Sequence, residues 1–305
     1  MLVSAMRDAQ LEPCLLNSRP AASRIARLTC PHGCLDFAAL GPAVHTTGEM
    51  ALACYTLVFV LACPAKGLSI NFSTAHTDGY MGFFPPGGML DAVTPEGYSQ
   101  ASLTVPAVEF HAALEQHFPE APAKVLRGGA LMLIGPVAQA RLRGLLAHLE
   151  EALWHTPELF AGSLIRRQVE RELLAGFFSA LRSGCADLVK PPSNRVGGRL
   201  RRLRQAREFL AAHTHEPIYL DDLCATLGIT RRGVEKLFQD LLGLSPITYQ
   251  RHQRLHGVRR ALLHAAPASG AVKNAALRWG FLHQGRFAHD YRSLFGESPS
   301  DTLTS

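Results

Sequence analysis

The stretch LDDLCATLGITRRGVEKLFQDLLGLSP, Leu220 to Pro246, contains two short helical patterns joined at a glycine. Gly228 supplies the backbone freedom that a tight turn requires. The small residue Cys224 lets a second helix pack closely, and the apolar Ile229 fills the angle between the two helices. The second pattern ends near Gly243. These features predict a helix-turn-helix.

A second copy of this pattern follows in VKNAALRWGFLHQGRFAHDYRSLFGESP, Val272 to Pro299. Gly280 and Phe281 match Gly228 and Ile229 at an offset of 52 residues, and the later positions match at an offset of 53. An ordered internal match of this kind indicates a repeated structural unit. In each unit the second helix has an apolar face at i, i+4, i+7 and i+8: Val234, Phe238, Leu241 and Leu242 in one, Phe287, Tyr291, Leu294 and Phe295 in the other.

The opposite faces of these two helices are polar and mostly basic. Arg and Lys donate to guanine edges, Gln reads adenine bidentately, and cations near the helix meet phosphate. A recognition helix reads bases with its N-terminal residues, where these groups lie. The candidate DNA-binding residues are Arg231, Arg232, Glu235 and Lys236 in the first unit, and His283, Gln284, Arg286 and His289 in the second.

The segment between the two units, SPITYQRHQRLHGVRRALLH, predicts one helix with an apolar side and a basic side. Its apolar side carries Tyr249, Leu255, Val258 and Leu262. A rigid helix here holds the two units about one DNA turn apart, roughly 34 Å, so that both enter successive major grooves.

The charge of the chain is concentrated in its last third. Residues 1–190 carry 14 Lys and Arg against 16 Asp and Glu, a net charge of −2, and residues 191–305 carry 17 against 9, a net charge of +8. A compact domain at +8 favours a polyanionic partner. The Pro- and Gly-containing residues 191–198 are the predicted linker between a first domain, 1–190, and a second, 199–305.

The remaining composition indicates a reduced, cytoplasmic, non-membrane protein. Seven irregularly spaced cysteines argue against a disulfide framework. Charged residues interrupt the N-terminal segment, so it does not resemble a signal peptide. The longest uncharged apolar run, Met50 to Cys63, is too short to span a bilayer and is predicted to be a buried strand.

The N-terminal part reads as short strands followed by helices. Between about Leu35 and Phe110, apolar runs alternate with turn sequences such as PPGG and TPEG, which suggests a sandwich or small barrel. The stretches from Ala138 to Leu153 and from Pro157 to Leu181 have helical spacing. Two uses remain open for the stripe that contains Leu164 and Ile165: packing on the barrel, or a dimer seam.

The region Arg201 to Leu303 resembles the DNA-binding domain of the AraC/XylS family of bacterial transcription regulators. The resemblance rests on both helix-turn-helix units in the expected order and on the signature ALRWGFLHQGRFAHDYRSLFGESP. Gly285 departs from the serine usual in that signature. The resemblance implies an α+β protein: an N-terminal cupin-like β-barrel or sandwich with flanking helices, and an all-α C-terminal domain with helix-turn-helix units at about 220–243 and 272–296.

The resemblance further implies a homodimer that binds double-stranded promoter DNA, contacts RNA polymerase and activates transcription in the nucleoid. Its N-terminal domain then senses an unidentified small molecule, with no other cofactor. Tyr80, Phe83, Phe84 and Tyr98 are candidates for the lining of a pocket or for ordinary core.

Other functions have weaker support in the sequence. A metal cupin needs several His and a carboxylate converging on one ion, and the isolated His45 and His76 do not supply them. Cys30, His32 and Cys34 in CPHGC leave redox or metal sensing open beside inert thiols, and dimerisation without any ligand is a further alternative. Basic helices also fit an acidic protein or RNA. No nucleophile elbow or phosphate loop is present, so we expect neither an enzyme nor a metal site.

Overall fold

The computed structural model describes residues 8–17, 22–65, 67–69, 74–186, 194–213 and 218–304. These residues form two compact units. The first contains the described residues of 1–13, 22–41 and 46–193; the second contains those of 14–21, 42–45 and 194–305. The predicted α+β fold, with strands in the N-terminal part and helices in the C-terminal part, is confirmed.

The strands lie in two sheets. Their bounds are β1 Gln10–Leu15, β2 Arg24–Thr29, β3 Cys34–Leu40, β4 Val44–Glu49, β5 Cys54–Ala62, β6 Gly67–Ser69, β7 Thr74–His76, β8 Tyr80–Phe84, β9 Met89–Thr94, β10 Tyr98–Pro106 and β11 Ala130–Leu133. One sheet has the order β1-β4-β9-β6-β7 and the other β11-β8-β5-β10-β3-β2. In the second sheet, the long strand β10 pairs antiparallel with both β3 and β5.

The helices fall into two groups. Those of the N-terminal part are α1 Ala107–His117, α2 Ala123–Gly128, α3 Pro136–His155 and α4 Ser163–Ala186. Those of the C-terminal part are α5 Asn194–Ala212, α6 Leu220–Leu227, α7 Arg231–Leu242, α8 Pro246–Leu263, α9 Ala271–Arg278, α10 Gln284–Phe295 and α11 Pro299–Thr304. None of the helices within the described ranges is both long and apolar enough to cross a membrane.

The two faces of the six-stranded sheet have different partners, because side chains alternate along a strand. On β10, Ala101, Leu103 and Val105 belong to the main core, together with Phe110 of α1 and with Phe177 and Phe178 of α4. The other face carries Val58 and Phe84, which cluster with apolar side chains of the five-stranded sheet. The first unit is therefore a two-sheet sandwich with helices covering one outer face.

Several predicted boundaries differ from the structure. The region predicted to be strand-rich as far as about Phe110 ends its last long strand at Pro106, and Ala107 begins α1, where burial follows a helical rather than an alternating pattern. The helix predicted from Pro157 is interrupted: Pro157–Phe160 is a short 3₁₀ turn, and α4 begins only at Ser163.

The predicted linker, residues 191–198, overlaps a helix. α5 begins at Asn194, so backbone helix extends through the last five residues of that segment despite its two glycines. Residues 191–193 lie outside the described ranges.

The cysteines of CPHGC are buried. Cys30 is 4% exposed and Cys34 is 0% exposed. Burial, with a smaller contribution from Glu170, raises the pKa of the Cys30 thiol to about 12. The side chain of Glu170 accepts hydrogen bonds from the backbone N–H of His32 at 2.9 Å and contacts its Nδ1 at 3.1 Å. A thiol held in its neutral form is a poor nucleophile and a poor metal ligand, which favours the interpretation of Cys30 as inert.

Phe178→Ala tests the core between α4 and the sheet. Phe178 is fully buried, and its ring lies 5.1 Å from that of Phe110. We expect the substitution to lower the free energy of unfolding by about 3–5 kcal/mol, since it removes buried carbon and leaves a cavity. Ser179→Ala on the same helix is the control, because Ser179 is exposed; its effect should stay within about 0.5 kcal/mol. Equal losses in urea unfolding would contradict this packing.

Candidate nucleic-acid interface

The first candidate reading unit consists of α6 and α7. Gly228 follows α6 with φ +61°, a left-handed conformation that favours glycine. Thr230 then caps α7: its Oγ1 accepts a hydrogen bond from the backbone N–H of Gly233 at 3.2 Å. Such a cap contributes about 1 kcal/mol to helix stability. The sequence thus fixes where α7 begins, and Arg231 and Arg232 occupy its first turn.

The apolar face of α7 is buried as predicted. Val234 and Phe238 are 0% exposed, and the ring of Phe238 lies 5.8 Å from that of Tyr249 on α8. Leu237 and Leu242 are buried beside them, and Leu241 is half-buried. Because this face is covered, the opposite face of α7 must point to solvent.

The second unit, α9 and α10, repeats this construction with a longer turn. Five residues separate α9 from α10, whereas three separate α6 from α7. Gly280 again has a positive φ, +79°. Phe281 fills the angle between the helices, with its ring 5.1 Å from that of Phe287. The apolar face is buried against α8: Phe287, Tyr291 and Leu294 cluster with Leu255, Val258, Leu262 and Ala276.

Helix α8 supports α10 through polar contacts as well. Arg251 of α8 pairs with Asp290 at 3.4 Å. Arg259 donates to Oε1 of Glu297 at 2.8 Å, and its guanidinium lies 4.8 Å from the centroid of the Phe295 ring. With 18 residues, α8 is about 27 Å long at 1.5 Å per residue. The side chains predicted for the apolar side of α8 are all buried: Tyr249, Leu255, Val258 and Leu262.

The structure places most of the predicted DNA-binding side chains on the outer faces of α7 and α10. Those that are exposed are Arg231, Arg232, Glu235 and Lys236 on or at the start of α7, and His283, Arg286 and His289 at α10. Gln284 is half-buried, and its Nε2 donates to the carbonyl oxygen of Phe281 at 3.2 Å. In this conformation the Gln284 amide supports the turn.

Two acidic residues that the sequence did not indicate form ion pairs with basic side chains of this surface. Asp221 accepts from Nε of Arg231 at 2.7 Å, and this hydrogen bond lowers the pKa of the Asp221 carboxyl. Asp240 pairs with Arg199 at 2.7 Å and with Lys236 at 3.2 Å. The i, i+4 spacing of Lys236 and Asp240 is a recognisable signal. Nothing local in the sequence joins Asp221 to Arg231, because they lie on different helices.

These contacts distinguish the side chains on the outer face of α7. The carboxylate of Asp221 aligns the guanidinium of Arg231 at the start of the helix. Arg232 and Glu235 project from the following positions. Together α7 and α10 offer cations, hydrogen-bond donors and acceptors from the first turns of two similarly built helices, which is the arrangement that major-groove readers use.

A family model described as a helix-turn-helix domain matches residues 223–305. This segment includes most of α6, all of α7 to α10, and α11. The match covers both candidate reading units and the helix between them.

Similar proteins regulate transcription. The probable thc operon regulatory protein of Rhodococcus erythropolis is 40% identical over 101 residues, 33% of this chain and 30% of that protein. The XylDLEGF operon transcriptional activator 2 of Pseudomonas putida is 36% identical over 97 residues, 32% of this chain and 62% of that protein. The matches therefore span less than two thirds of these curated relatives.

A solved structure also matches part of the chain. It is that of a probable AraC family transcriptional regulator from Rhodopseudomonas palustris, 40% identical, with a TM-score of 0.32. The match covers 34% of this chain and 95% of that one.

Gly285→Ala and Gly296→Ala test the backbone of the second reading helix. Neither glycine has a heavy atom within 4 Å of an added Cβ. Gly285 is the second residue of α10 rather than an interior one, and its φ is not positive, whereas Gly296 has φ +74°. We expect Gly285→Ala to stabilise by about 0.4–1 kcal/mol through the unfolded state. Gly296→Ala should destabilise by about 1–2 kcal/mol, because alanine is strained in the left-handed region.

Thermal and urea unfolding of the two variants, compared with the parent protein, measure this difference. Destabilisation by Gly285→Ala equal to that by Gly296→Ala would contradict the assigned start of α10.

Proposed function

Because this chain belongs to the AraC/XylS family of bacterial transcription regulators, we propose that α7 and α10 together read the sequence of promoter DNA. That the chain is a DNA-binding transcription regulator follows from the helix-turn-helix match and from the regulators that the chain resembles. The observation that supports base reading by both helices is that α7 and α10 are built alike. Each buries an equivalent apolar face and presents an exposed polar face from its first turn.

The contacts divide between bases and phosphates. Arg232, Glu235 and Lys236 of α7, and Gln284 and His289 of α10, take the base-facing positions. Arg231, His283 and Arg286 contact bases or the phosphate backbone. Glu235 accepts a hydrogen bond from cytosine, for which its carboxylate is suited, while Arg232 donates to guanine. The pairing of Lys236 with Asp240 has to open or shift when Lys236 meets DNA.

The electrostatics of the last third favour nucleic acid over an acidic protein. Residues 191–305 carry 17 Lys and Arg against 9 Asp and Glu, a net charge of +8. A generic basic patch would bind any polyanion, including RNA. Two equivalent helices joined by a long third helix instead fit the periodic grooves of a duplex.

We further propose that the chain acts as a homodimer in the cytoplasm, activates transcription through contact with RNA polymerase, and responds to a small molecule bound by its first unit. The relative in Pseudomonas putida is named as an activator, and the relatives reported above are regulators rather than enzymes. The exposed Leu164 and Ile165 of α4 remain candidates for the dimer seam. Cys30 does not favour redox sensing, since burial raises its pKa to about 12.

Arg232→Ala tests direct base reading. We expect it to weaken binding to the preferred duplex by about 1–3 kcal/mol, since a guanidinium that bridges two acceptors of guanine is lost, and to relax base preference at one position. The measurement is the affinity for a duplex selected from a random pool and for its single-base variants, at physiological salt.

Arg167→Ala is the matched control, because it removes the same charge from an exposed position on α4. It should leave affinity and base preference unchanged. If Arg232→Ala lowers affinity equally for every sequence, Arg232 contacts phosphate only and its assignment as a base reader is wrong.

A further inference from the structure

The first unit contains a cavity between its two sheets. About 780 Å³ of atom-free space, counted out to the open mouth, lies between Ala38, Val58 and Phe84 on one sheet and Leu90 and Ala92 on the other. The space occupies the middle of the sandwich, where complete packing would otherwise be expected.

The lining of this cavity is uncharged and mostly apolar. Among its lining residues, all of which lie in the described ranges, there is no Asp, Glu, Lys or Arg. A charged ligand would lose its hydration there without gaining a counter-charge, and burial of an unpaired charge is strongly unfavourable. The cavity therefore selects against carboxylates, phosphates and ammonium groups.

One polar group in the lining lacks a partner. His76 is 4% exposed, and its Nδ1 makes no hydrogen bond with any residue that the structure describes. The backbone of Gly67 on the neighbouring strand packs closely beside the ring, since a Cβ added at Gly67 would lie 2.5 Å from Nε2 of His76. A buried polar atom without a hydrogen-bond partner is unfavourable. A ligand with one hydrogen-bonding group would supply that partner.

The charge state of His76 fits the same class of ligand. Burial lowers the pKa of His76 to about 4, so the imidazole is neutral near pH 7. A neutral imidazole can donate or accept at Nδ1 according to its tautomer, but it offers no counter-charge to an anion. Nearby, the hydroxyl of buried Tyr98 donates to Oε1 of Gln100 at 3.1 Å, so this hydroxyl proton already has an acceptor.

We infer that the cavity between the two sheets binds an uncharged, largely apolar small molecule whose single hydrogen-bonding group meets Nδ1 of His76. This inference rests on the proposed function, since it names the chemical class of the effector. Of the aromatic residues considered from the sequence, Phe84 and Tyr98 line this cavity, while Phe83 lies in the core on the helix side.

Calorimetric titration of the full chain at pH 7 with 2-naphthol and with 2-naphthoate tests the inference. The two probes match in ring size and differ in charge. We expect 2-naphthol to bind and 2-naphthoate to bind at least about tenfold more weakly or not at all, because only the second must bury a charge. Equal binding of both probes, or no binding of 2-naphthol, would overturn the inference.

Variants locate the bound probe. His76→Phe keeps a ring in place but removes the hydrogen bond, and should weaken 2-naphthol binding about three- to tenfold. Ala38→Leu fills the cavity and should weaken it further. Ala39→Leu is the control, because neighbouring residues of a strand face opposite sides and Ala39 is absent from the lining.

Ala92→Leu fills the cavity from the facing sheet, and it is the cavity-filling variant to use if Ala38→Leu does not fold. Binding that survives both His76→Phe and a folded cavity-filling variant would place the probe elsewhere and overturn the inference. DNA binding of the same samples without probe separates the two proposals: selective DNA binding with no binding of 2-naphthol rejects the cavity assignment alone.

Discussion

The burial of two apolar helix faces against one connecting helix is the constraint on which the reading surface depends. Val234 and Phe238 of α7 and Phe287 and Tyr291 of α10 are almost completely buried. A Phe side chain moved out of water contributes roughly 1.5–3 kcal/mol, so rotation of either helix about its axis would be costly. This packing decides which side chains face outward, so the exposed basic face of each helix is a consequence of the burial of its apolar face.

The same constraint explains how much of the C-terminal part could be predicted. Helical spacing, the positive-φ glycines Gly228 and Gly280, and the internal repeat are local features, and each helix lies close to its predicted position. The pairing of Arg231 with Asp221 could not be predicted, because it joins side chains from two helices through tertiary geometry. The hydrogen bond from the Gln284 amide to the carbonyl oxygen of Phe281 could not be predicted either, because a side chain at the start of a helix can bond to the backbone or to solvent.

The N-terminal part was harder to predict because strand pairing is non-local. Apolar runs located β5, β8 and most of β10, whereas β1 and β2 lie before the region read as strand-rich. Alternation along a strand does not show which face meets helices and which meets another sheet. Phe83 and Phe84 are adjacent in sequence but lie in the main core and beside the cavity respectively. The proposed contact between His76 and a ligand could not be predicted from the sequence, because it depends on the cavity that the two sheets enclose.

The most direct test of the account is the pattern of base preference in duplexes that the full chain selects from a random pool at physiological salt. Two reading helices predict two blocks of preferred bases with centres about 10 base pairs apart, on one face of the duplex. Selected duplexes should outcompete scrambled ones by roughly a thousandfold or more. A pool that shows no preferred bases, and that binds no better than random duplex, would contradict sequence reading by α7 and α10.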